Sequence, residues 1–179
     1  MNSLIHTIQD IKNDIPESRI TLKILFINYL YNPSFRVLLN HRLGKHFYKS
    51  NNFFLRQLGI YYKVKMITKR NCDFSYNSII GKNLKMPHPI GVVIGDGVVI
   101  KNNVTVFQQV TFGSHGKKSI ELAYPVIEDG VKIYAGAKII GGITIGENAV
   151  IGANSVVNID VPPNTVAVGI PCRIIPKEK

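Results

Sequence analysis

Cysteine and long apolar runs are both scarce in this 179-residue chain. The two cysteines, Cys72 and Cys172, lie far apart and match neither zinc-ligand spacing nor a disulfide framework, so we interpret both as structural residues in a reducing compartment. No stretch reaches the roughly 18 apolar residues of a membrane span. The start, MNSLIHTIQDIKND, lacks the basic and then apolar order of a signal peptide. We therefore expect a cytoplasmic protein.

Acidic residues are also few, with 11 Asp and Glu against 22 Lys and Arg and a formal net charge of +11. Most of the excess belongs to residues 1–75, which carry 12 basic and 4 acidic residues. Such a charge bias is typical of binding to nucleic acid, of binding to an anionic membrane surface, or of a chain that is simply kept soluble by it. Because no nucleic-acid-binding motif accompanies it, we expect no nucleic-acid partner.

A six-residue period dominates the second half of the chain. The aliphatic or aromatic positions that carry it are Ile94, Ile100, Val106, Phe112, Ile127, Ile133, Ile139, Ile145, Ile151 and Val157. A helix repeats its apolar face every three or four residues, and a β-sandwich spaces its strands by about 8–12 residues, so neither explains this period. A coil of short strands does, with turns at Asn103, Gly130 and Asn148.

One irregularity interrupts the period. Ile127 follows Phe112 by 15 positions, three more than two repeats, and the polar segment GSHGKKSIELAYP lies between them. We predict that residues 113–125 leave the coil as a protruding loop, a place where function often lies.

The regions on either side of the repeats have a different sequence pattern. Residues 1–68 mix apolar and basic residues at three- and four-residue spacing, which predicts several short helices packed on one end of the coil, one of them starting at Asn32-Pro33. The same mixture suits peripheral contact with a membrane as well as ordinary packing with a solvated basic face. The coil is assigned to residues 69–165 and a C-terminal tail to residues 166–179.

His88 stands between Pro87 and Pro89 in MPHPIGVVIGDG, where the prolines restrict its backbone. This motif, with AGAKIIGGITIGENAVIGANSVV and VPPNTVAVGIPCRII, resembles the hexapeptide-repeat acyltransferases, and within them the serine acetyltransferase-like branch. The resemblance covers about residues 73–177. It implies a mainly β fold, a left-handed parallel β-helix with a short helical N-terminal segment. It also implies acetyl-CoA as co-substrate, no metal, and a homotrimer whose active sites lie between neighbouring coils.

The resemblance assigns catalysis to a pair of residues. His88 matches the family's general base, and Asp73, fifteen positions earlier, matches the aspartate that orients it. A hydroxyl is a poor nucleophile near neutral pH, so an imidazole must take its proton as it attacks the thioester. A carboxylate on the other ring nitrogen fixes the tautomer and stabilises the imidazolium.

Departures from the family pattern bear on the acceptor. Serine acetyltransferases carry an aspartate, an arginine and a histidine where this sequence has Pro87, Ala123 and Tyr124. Without the arginine a carboxylate lacks a bidentate partner. We therefore expect a neutral acceptor, a sugar hydroxyl in bacterial surface polysaccharide biosynthesis, contacted by Pro87, His115 and Tyr124. The basic N-terminal segment favours an acceptor at the inner face of the membrane. The alternative acceptor is serine, in cysteine biosynthesis.

For the donor, the resemblance points to small residues along the coil edge, where a ligand can approach the backbone closely, and to basic residues in the tail that would meet the phosphates of CoA. The positions are Gly113, Ser114, Ala135, Gly136, Ala153, Arg173 and Lys177. Whether the N-terminal helices pair two trimers stays open.

Two other classes compete with the acyltransferase interpretation. A zinc-dependent carbonic anhydrase on a hexapeptide coil needs three histidines, and only His88 and His115 lie in the repeats. A purely structural or binding coil would leave the pairing of Asp73 with His88 unexplained.

Overall fold

The computed structural model describes residues 4–15, 21–116 and 124–176. Four helices come first: α1 Leu4–Asn13, α2 Leu22–Tyr31, α3 Pro33–Tyr48 and α4 Phe53–Arg70. We call them the helical segment. None of these four helices is both long and apolar enough to cross a bilayer. The strands that follow, here called the coil, are β1 Asp73–Phe74, β2 Ile79–Ile80, β3 Val93–Ile94, β4 Val99–Ile100, β5 Thr105–Val106, β6 Thr111–Gly113, β7 Val126–Ile127, β8 Lys132–Ile133, β9 Lys138–Ile140, β10 Thr144–Ile145, β11 Val150–Ile151, β12 Val156–Val157, β13 Thr165–Val168 and β14 Arg173–Pro176.

Short polar residues set the helix boundaries. Asn32 accepts a hydrogen bond from the Phe35 amide at 3.0 Å, and Pro33 takes the first helical position, so α3 starts where the sequence predicts. Asn52 caps α4 in the same way, and Asn71, at φ 52°, ends that helix in the left-handed conformation.

The strands wind into a left-handed β-helix with three parallel sheets, as predicted. The first sheet has the order β1-β3-β6-β9-β12, the second β2-β4-β7-β10 and the third β5-β8-β11-β13, to which β14 adds an antiparallel strand. Residues at the repeat positions stack in register, so that Ile94 pairs with Phe112 and Phe112 with Ile139. All ten predicted repeat positions are buried, which confirms the six-residue period.

Left-handed residues turn the corners between the second and third sheets. Asn103, Gly130 and Asn148 have φ values of 58°, 71° and 56°, which confirms their predicted role as turns. Each adopts a conformation that Gly and Asn tolerate better than other residues. The corner therefore repeats once per coil.

The loop after β6 is longer than the sequence count suggests. Phe112 lies in the first sheet and Ile127 in the next sheet along the chain, so their spacing holds one repeat rather than two. Pairing of Thr111 with Lys138 gives the same result, because this coil takes 27 residues where the preceding one takes 18 from Val93 to Thr111. The spacing of 15 is therefore one repeat plus an insertion of nine residues, rather than two repeats plus three.

The helical segment packs on the first coil. Tyr76 enters between α3 and α4, where its hydroxyl donates to the Gly59 carbonyl at 2.9 Å. A side chain at Gly44 would collide with that hydroxyl, and one at Gly59 would collide with the Tyr48 backbone, so both glycines are required by close approach. Arg42 of α3 donates to the carbonyls of Ile80 and Gly81, each at 2.8 Å.

Candidate active site

His88 lies on a corner that is two residues longer than its counterparts. The chain takes eight residues from Lys85 to Val93, whereas the next coil takes six from Thr105 to Thr111. The two extra residues bulge outward between the third and first sheets, and they carry the Pro87-His88-Pro89 motif. The sequence signal of two prolines therefore marks a real widening of the coil.

The backbone of this corner is held firmly. The Ile90 amide donates to the His88 carbonyl at 2.8 Å, and Gly91, at φ 68°, donates to the Asn71 carbonyl at 2.7 Å. The buried Cys72 thiol donates to the Pro89 carbonyl at 3.1 Å. The His88 ring is exposed, and within the described part of the chain no hydrogen bond or ion pair engages it. A fixed backbone with an uncommitted imidazole suits a residue that meets a ligand.

Asp73 lies close to this corner but faces a different partner. Its neighbour Cys72 contacts Pro89, the neighbour of His88, so the two predicted catalytic segments run side by side. The Asp73 carboxylate, however, accepts a hydrogen bond from Lys63 Nζ of α4. Orientation of His88 by Asp73 therefore stays a prediction.

Asp73 and Lys63 line an open cleft of about 390 Å³ between the helical segment and the first two coils. On its coil side, Asp96 accepts hydrogen bonds from the Ser75 hydroxyl and the Asn77 amide. These bonds, that from Ser75 first, lower the pKa of Asp96 below its usual value. Neither Lys63 nor Asp96 is predicted from the sequence, since nothing in the spacing links a helix residue to the coil, and Asp96 has the pattern of an ordinary turn residue.

The loop residues predicted to meet the acceptor pack against the coil. The His115 ring covers Gly141, where an added Cβ would collide with His115 Cε1. Tyr124 lies in the same way on Gly95 and Gly97 and is half-buried. Tyr124 is thus an anchor of the loop on the coil, and a role in acceptor binding for it, for His115 or for the exposed Pro87 stays a prediction. Ala123 lies outside the described residues.

The predicted CoA residues fall on two edges of the first sheet. Ala135, Gly136 and Ala153 share the His88 corner, where the Asn154 amide donates to the Ala135 carbonyl at 2.8 Å. Gly136 has φ 75°, and a side chain there would collide with Asn154, so the turn alone accounts for this glycine.

The remaining predicted CoA residues lie elsewhere. Gly113 and Ser114 follow the opposite edge, at the start of the loop. Arg173 is exposed on β14, and Lys177 lies outside the described residues. The structure therefore does not gather the predicted donor residues into one site within a single chain.

Comparison with known proteins identifies the repeats and their relatives. The family model "Bacterial transferase hexapeptide (six repeats)" matches residues 124–158, and "Hexapeptide repeat of succinyl-transferase" matches residues 77–108. The serine acetyltransferase of Escherichia coli is 38% identical over 148 residues, 83% of this chain and 53% of its own length. That of Buchnera aphidicola is 35% identical over 150 residues, covering 84% and 56%.

Solved structures agree over nearly the whole chain. The serine acetyltransferase of Neisseria gonorrhoeae is 31% identical, with a TM-score of 0.82 over 98% of this chain and 67% of that one. Soybean serine acetyltransferase in complex with serine is 34% identical, with a TM-score of 0.76 over 94% and 68%. A serine acetyltransferase complex with CoA is 30% identical, with a TM-score of 0.80 over 97% and 72%.

These relatives correct one prediction. The expected acceptor, a sugar in polysaccharide biosynthesis, is wrong, because the relatives named above are serine acetyltransferases, which was the alternative. The absence of the aspartate and the arginine at Pro87 and Ala123 therefore does not by itself indicate a sugar acceptor. The chain spans about half the length of the curated relatives it matches. It belongs to the hexapeptide-repeat acyltransferases, on the branch of the serine acetyltransferases.

Proposed function

We propose that this protein transfers the acetyl group of acetyl-CoA to the hydroxyl of serine. The observation that carries the proposal is the similarity to serine acetyltransferases along nearly the whole chain, including structures in complex with serine and with CoA. The exposed His88 ring on its widened corner supplies a base at the position that the family motif requires.

The chemistry needs one proton carrier. His88 takes the serine hydroxyl proton as that oxygen attacks the thioester carbonyl, giving a tetrahedral intermediate. The intermediate collapses by breaking the bond to sulfur, and the imidazolium returns the proton to the departing thiolate. The products are O-acetylserine and CoA, with no proton gained or lost overall.

Exchange of His88 for alanine tests this assignment. We expect His88→Ala to slow acetyl transfer by a factor of about 10²–10⁴, since a positioned general base contributes that much. Release of CoA thiol from acetyl-CoA and L-serine measures the rate, and mass spectrometry identifies the product. His46→Ala, at a histidine of the helical segment that contacts Thr7, serves as the matched control. Near-normal turnover by His88→Ala would remove His88 from the mechanism, and acetylation of a sugar but not of serine would overturn the proposed acceptor.

We propose a homotrimer as the working assembly. His88, Ala135 and Ala153 lie on one edge of the first sheet and the loop starts on the opposite edge, so a neighbouring coil is needed to bring both edges together. Outward-facing Val93 and Val99 offer apolar surface for that contact. Sedimentation at micromolar concentration tests the assembly, and a monomer with full activity would contradict it.

We also propose that the helical segment contacts an anionic membrane at its cytoplasmic face. Residues 21–72 hold ten Lys or Arg and no Asp or Glu. Leu22, Phe26 and Phe54 are exposed by 85%, 63% and 79%. Like charges disfavour pairing of two such surfaces, whereas anionic lipid attracts them and accepts the apolar side chains.

Vesicle sedimentation tests the membrane contact. We expect binding to phosphatidylglycerol vesicles, loss of binding at high salt, and weak binding to phosphatidylcholine alone. Phe54→Ser should weaken binding, and Ile159→Ser, at an exposed apolar position of the coil, should not. Equal binding to both vesicle types, or no binding, overturns the contact. Salt-resistant association of trimers with one another, abolished by Phe54→Ser, would instead assign this surface to a second trimer.

A further inference from the structure

Lys63 ties the helical segment to the predicted catalytic aspartate. It lies on the side of α4 that faces the coil, and its Nζ donates to the Asp73 carboxylate and to the Phe74 carbonyl, the latter at 2.8 Å. The Tyr76 ring lies 5.8 Å from the same ammonium. These three contacts, to residues in and just after β1, hold the lysine side chain in one place.

Among the described residues that line the cleft with Asp73, Lys63 is the one with a cationic side chain. The titratable groups that line the cleft with Asp73 are Tyr48, Lys63, Tyr76 and Asp96. Burial raises the pKa of Tyr76, and burial also raises that of the Cys72 thiol beneath the cleft, so both are neutral at physiological pH. Asp96 is held by Ser75 and Asn77. The charge balance at Asp73 is therefore set by Lys63.

The Asp73 carboxylate has two possible cationic partners. Lys63 pairs with it in this structure. The second is the His88 imidazole when it carries a proton, which lies in the neighbouring segment, where Pro89 accepts the hydrogen bond from Cys72. A carboxylate turned toward an imidazole stabilises the imidazolium, and a carboxylate neutralised by an ammonium does so less. Pairing of the Asp73 carboxylate with one of these two cations therefore weakens its interaction with the other.

We propose that Lys63 is a positioning residue that holds the Asp73 carboxylate on the helical side of the cleft and so sets how much of its charge reaches His88. The catalytic consequence rests on the proposed function, but the electrostatic coupling does not. The helical segment thereby acts on the reaction without touching substrate. Asp73 remains the group through which Lys63 acts.

Removal of the Lys63 charge should change the pKa of His88 in a predictable direction. Without Lys63, the full negative charge of Asp73 acts on His88 and favours its protonated form, so the pKa of His88 rises. The acid limb of the pH profile of kcat/KM then moves to higher pH, because the base must be neutral to accept a proton. Lys63→Arg keeps the charge and should leave the limb near its original pH.

A double-mutant cycle read by NMR tests the coupling without substrate. His88 is titrated in the full chain with and without Lys63→Met, each in the original and in the Asp73→Asn background. We expect Lys63→Met to raise the His88 pKa by about 0.5–1 unit in the original background and by much less with Asp73→Asn. Lys65→Met, which removes a lysine of the same helix that lies beside the Tyr61 and Tyr62 rings, is the matched control. Equal shifts in both backgrounds, or no shift, overturn the proposal.

Kinetics separate this inference from the proposed function. If the original protein acetylates serine, Lys63→Met should move the acid limb of kcat/KM upward and Lys63→Arg should restore it. Acetyl transfer with an unmoved limb in Lys63→Met overturns the role of Lys63 alone. Absence of acetyl transfer by the original protein overturns the proposed function, and the titration cycle then decides the coupling.

Discussion

The helical segment and the coil bury different chemistry. The buried polar side chains of the helical segment are Thr7, Asn28, Asn40, His41 and Arg42, whereas those described in the coil are Ser78 and Ser155. The coil satisfies its backbone through parallel ladders and fills its centre with aliphatic and aromatic residues. The helical segment instead holds charged groups at its contact with the coil. Stability of the coil should therefore depend on packing, and attachment of the helical segment on charge.

Polar groups of the helical segment also cover the first coil at its open end. Lys45 donates to the Ser78 carbonyl at 2.6 Å, and Arg42 donates to the carbonyls of Ile80 and Gly81 at the end of β2. Burial, with help from Lys49 and Arg42, lowers the pKa of Lys45 to about 8. The coil needs such a cover because its first turn has no preceding turn to receive its hydrogen bonds. The helical segment is thus both the cap of the coil and the source of Lys63.

Damage to the centre of the coil should have the largest effect. Phe112 is fully buried in the middle of the first sheet. Phe112→Ala should cost about 4 kcal/mol of unfolding free energy through lost contacts and the cavity left behind. Denaturant unfolding measures the cost, and hydrogen exchange should show the coil and the helical segment losing protection together. Loss of protection confined to the coil would contradict this dependence, because the helical segment would then stay folded although the coil on which it packs had unfolded.

Substitution at the contact between the helical segment and the coil should destabilise the helical segment and leave the coil unchanged. Arg42 pairs with Asp14 at 3.1 Å, and both side chains are nearly inaccessible. Arg42→Met keeps much of the stem but leaves the Asp14 carboxylate buried and unpaired, which should cost about 3 kcal/mol. We expect faster hydrogen exchange in α1 and α3 with the later coils unchanged. Arg56→Met, at an exposed arginine over the Tyr48 ring, is the control. Uniform loss of protection across the coil would show that the two regions unfold as one unit.

The same contrast explains what the sequence could predict. A six-residue period reports which way each side chain of the coil points, so positions such as Ile133 and the turn at Asn103 follow directly from the pattern. The contact of Lys63 with Asp73 has no such pattern, because it depends on how α4 crosses the first coil, which the close approaches at Gly44 and Gly59 determine. The packing of Tyr124 on Gly95 and Gly97 likewise follows from no pattern, because both glycines lie far from Tyr124 in the sequence.

Acidification should weaken the helical segment before it weakens the coil. His41 of α3 is fully buried against the Phe74 and Tyr76 rings, and in the described structure neither of its ring nitrogens has a hydrogen-bond partner. Burial first, and then the charges of Arg42, Lys45 and Lys63, lower the pKa of His41 well below 6.5. Below pH 6.5 the unfolded chain therefore binds a proton that the folded chain does not, so stability falls as the pH falls.

The slope of that loss is the smallest of the expected effects and the one that isolates a single residue. One proton contributes up to about 1.4 kcal/mol per pH unit. Denaturant unfolding at pH 7, 6 and 5 should show this slope in the original protein and a shallower one in His41→Leu, which cannot take up the proton. His46→Gln, which changes a histidine that contacts Thr7 in the same segment, should keep the original slope. If His41→Leu loses stability with acid as steeply as the original protein, the sensitivity belongs to other groups, and the contrast between a charged contact and an apolar coil loses its clearest support.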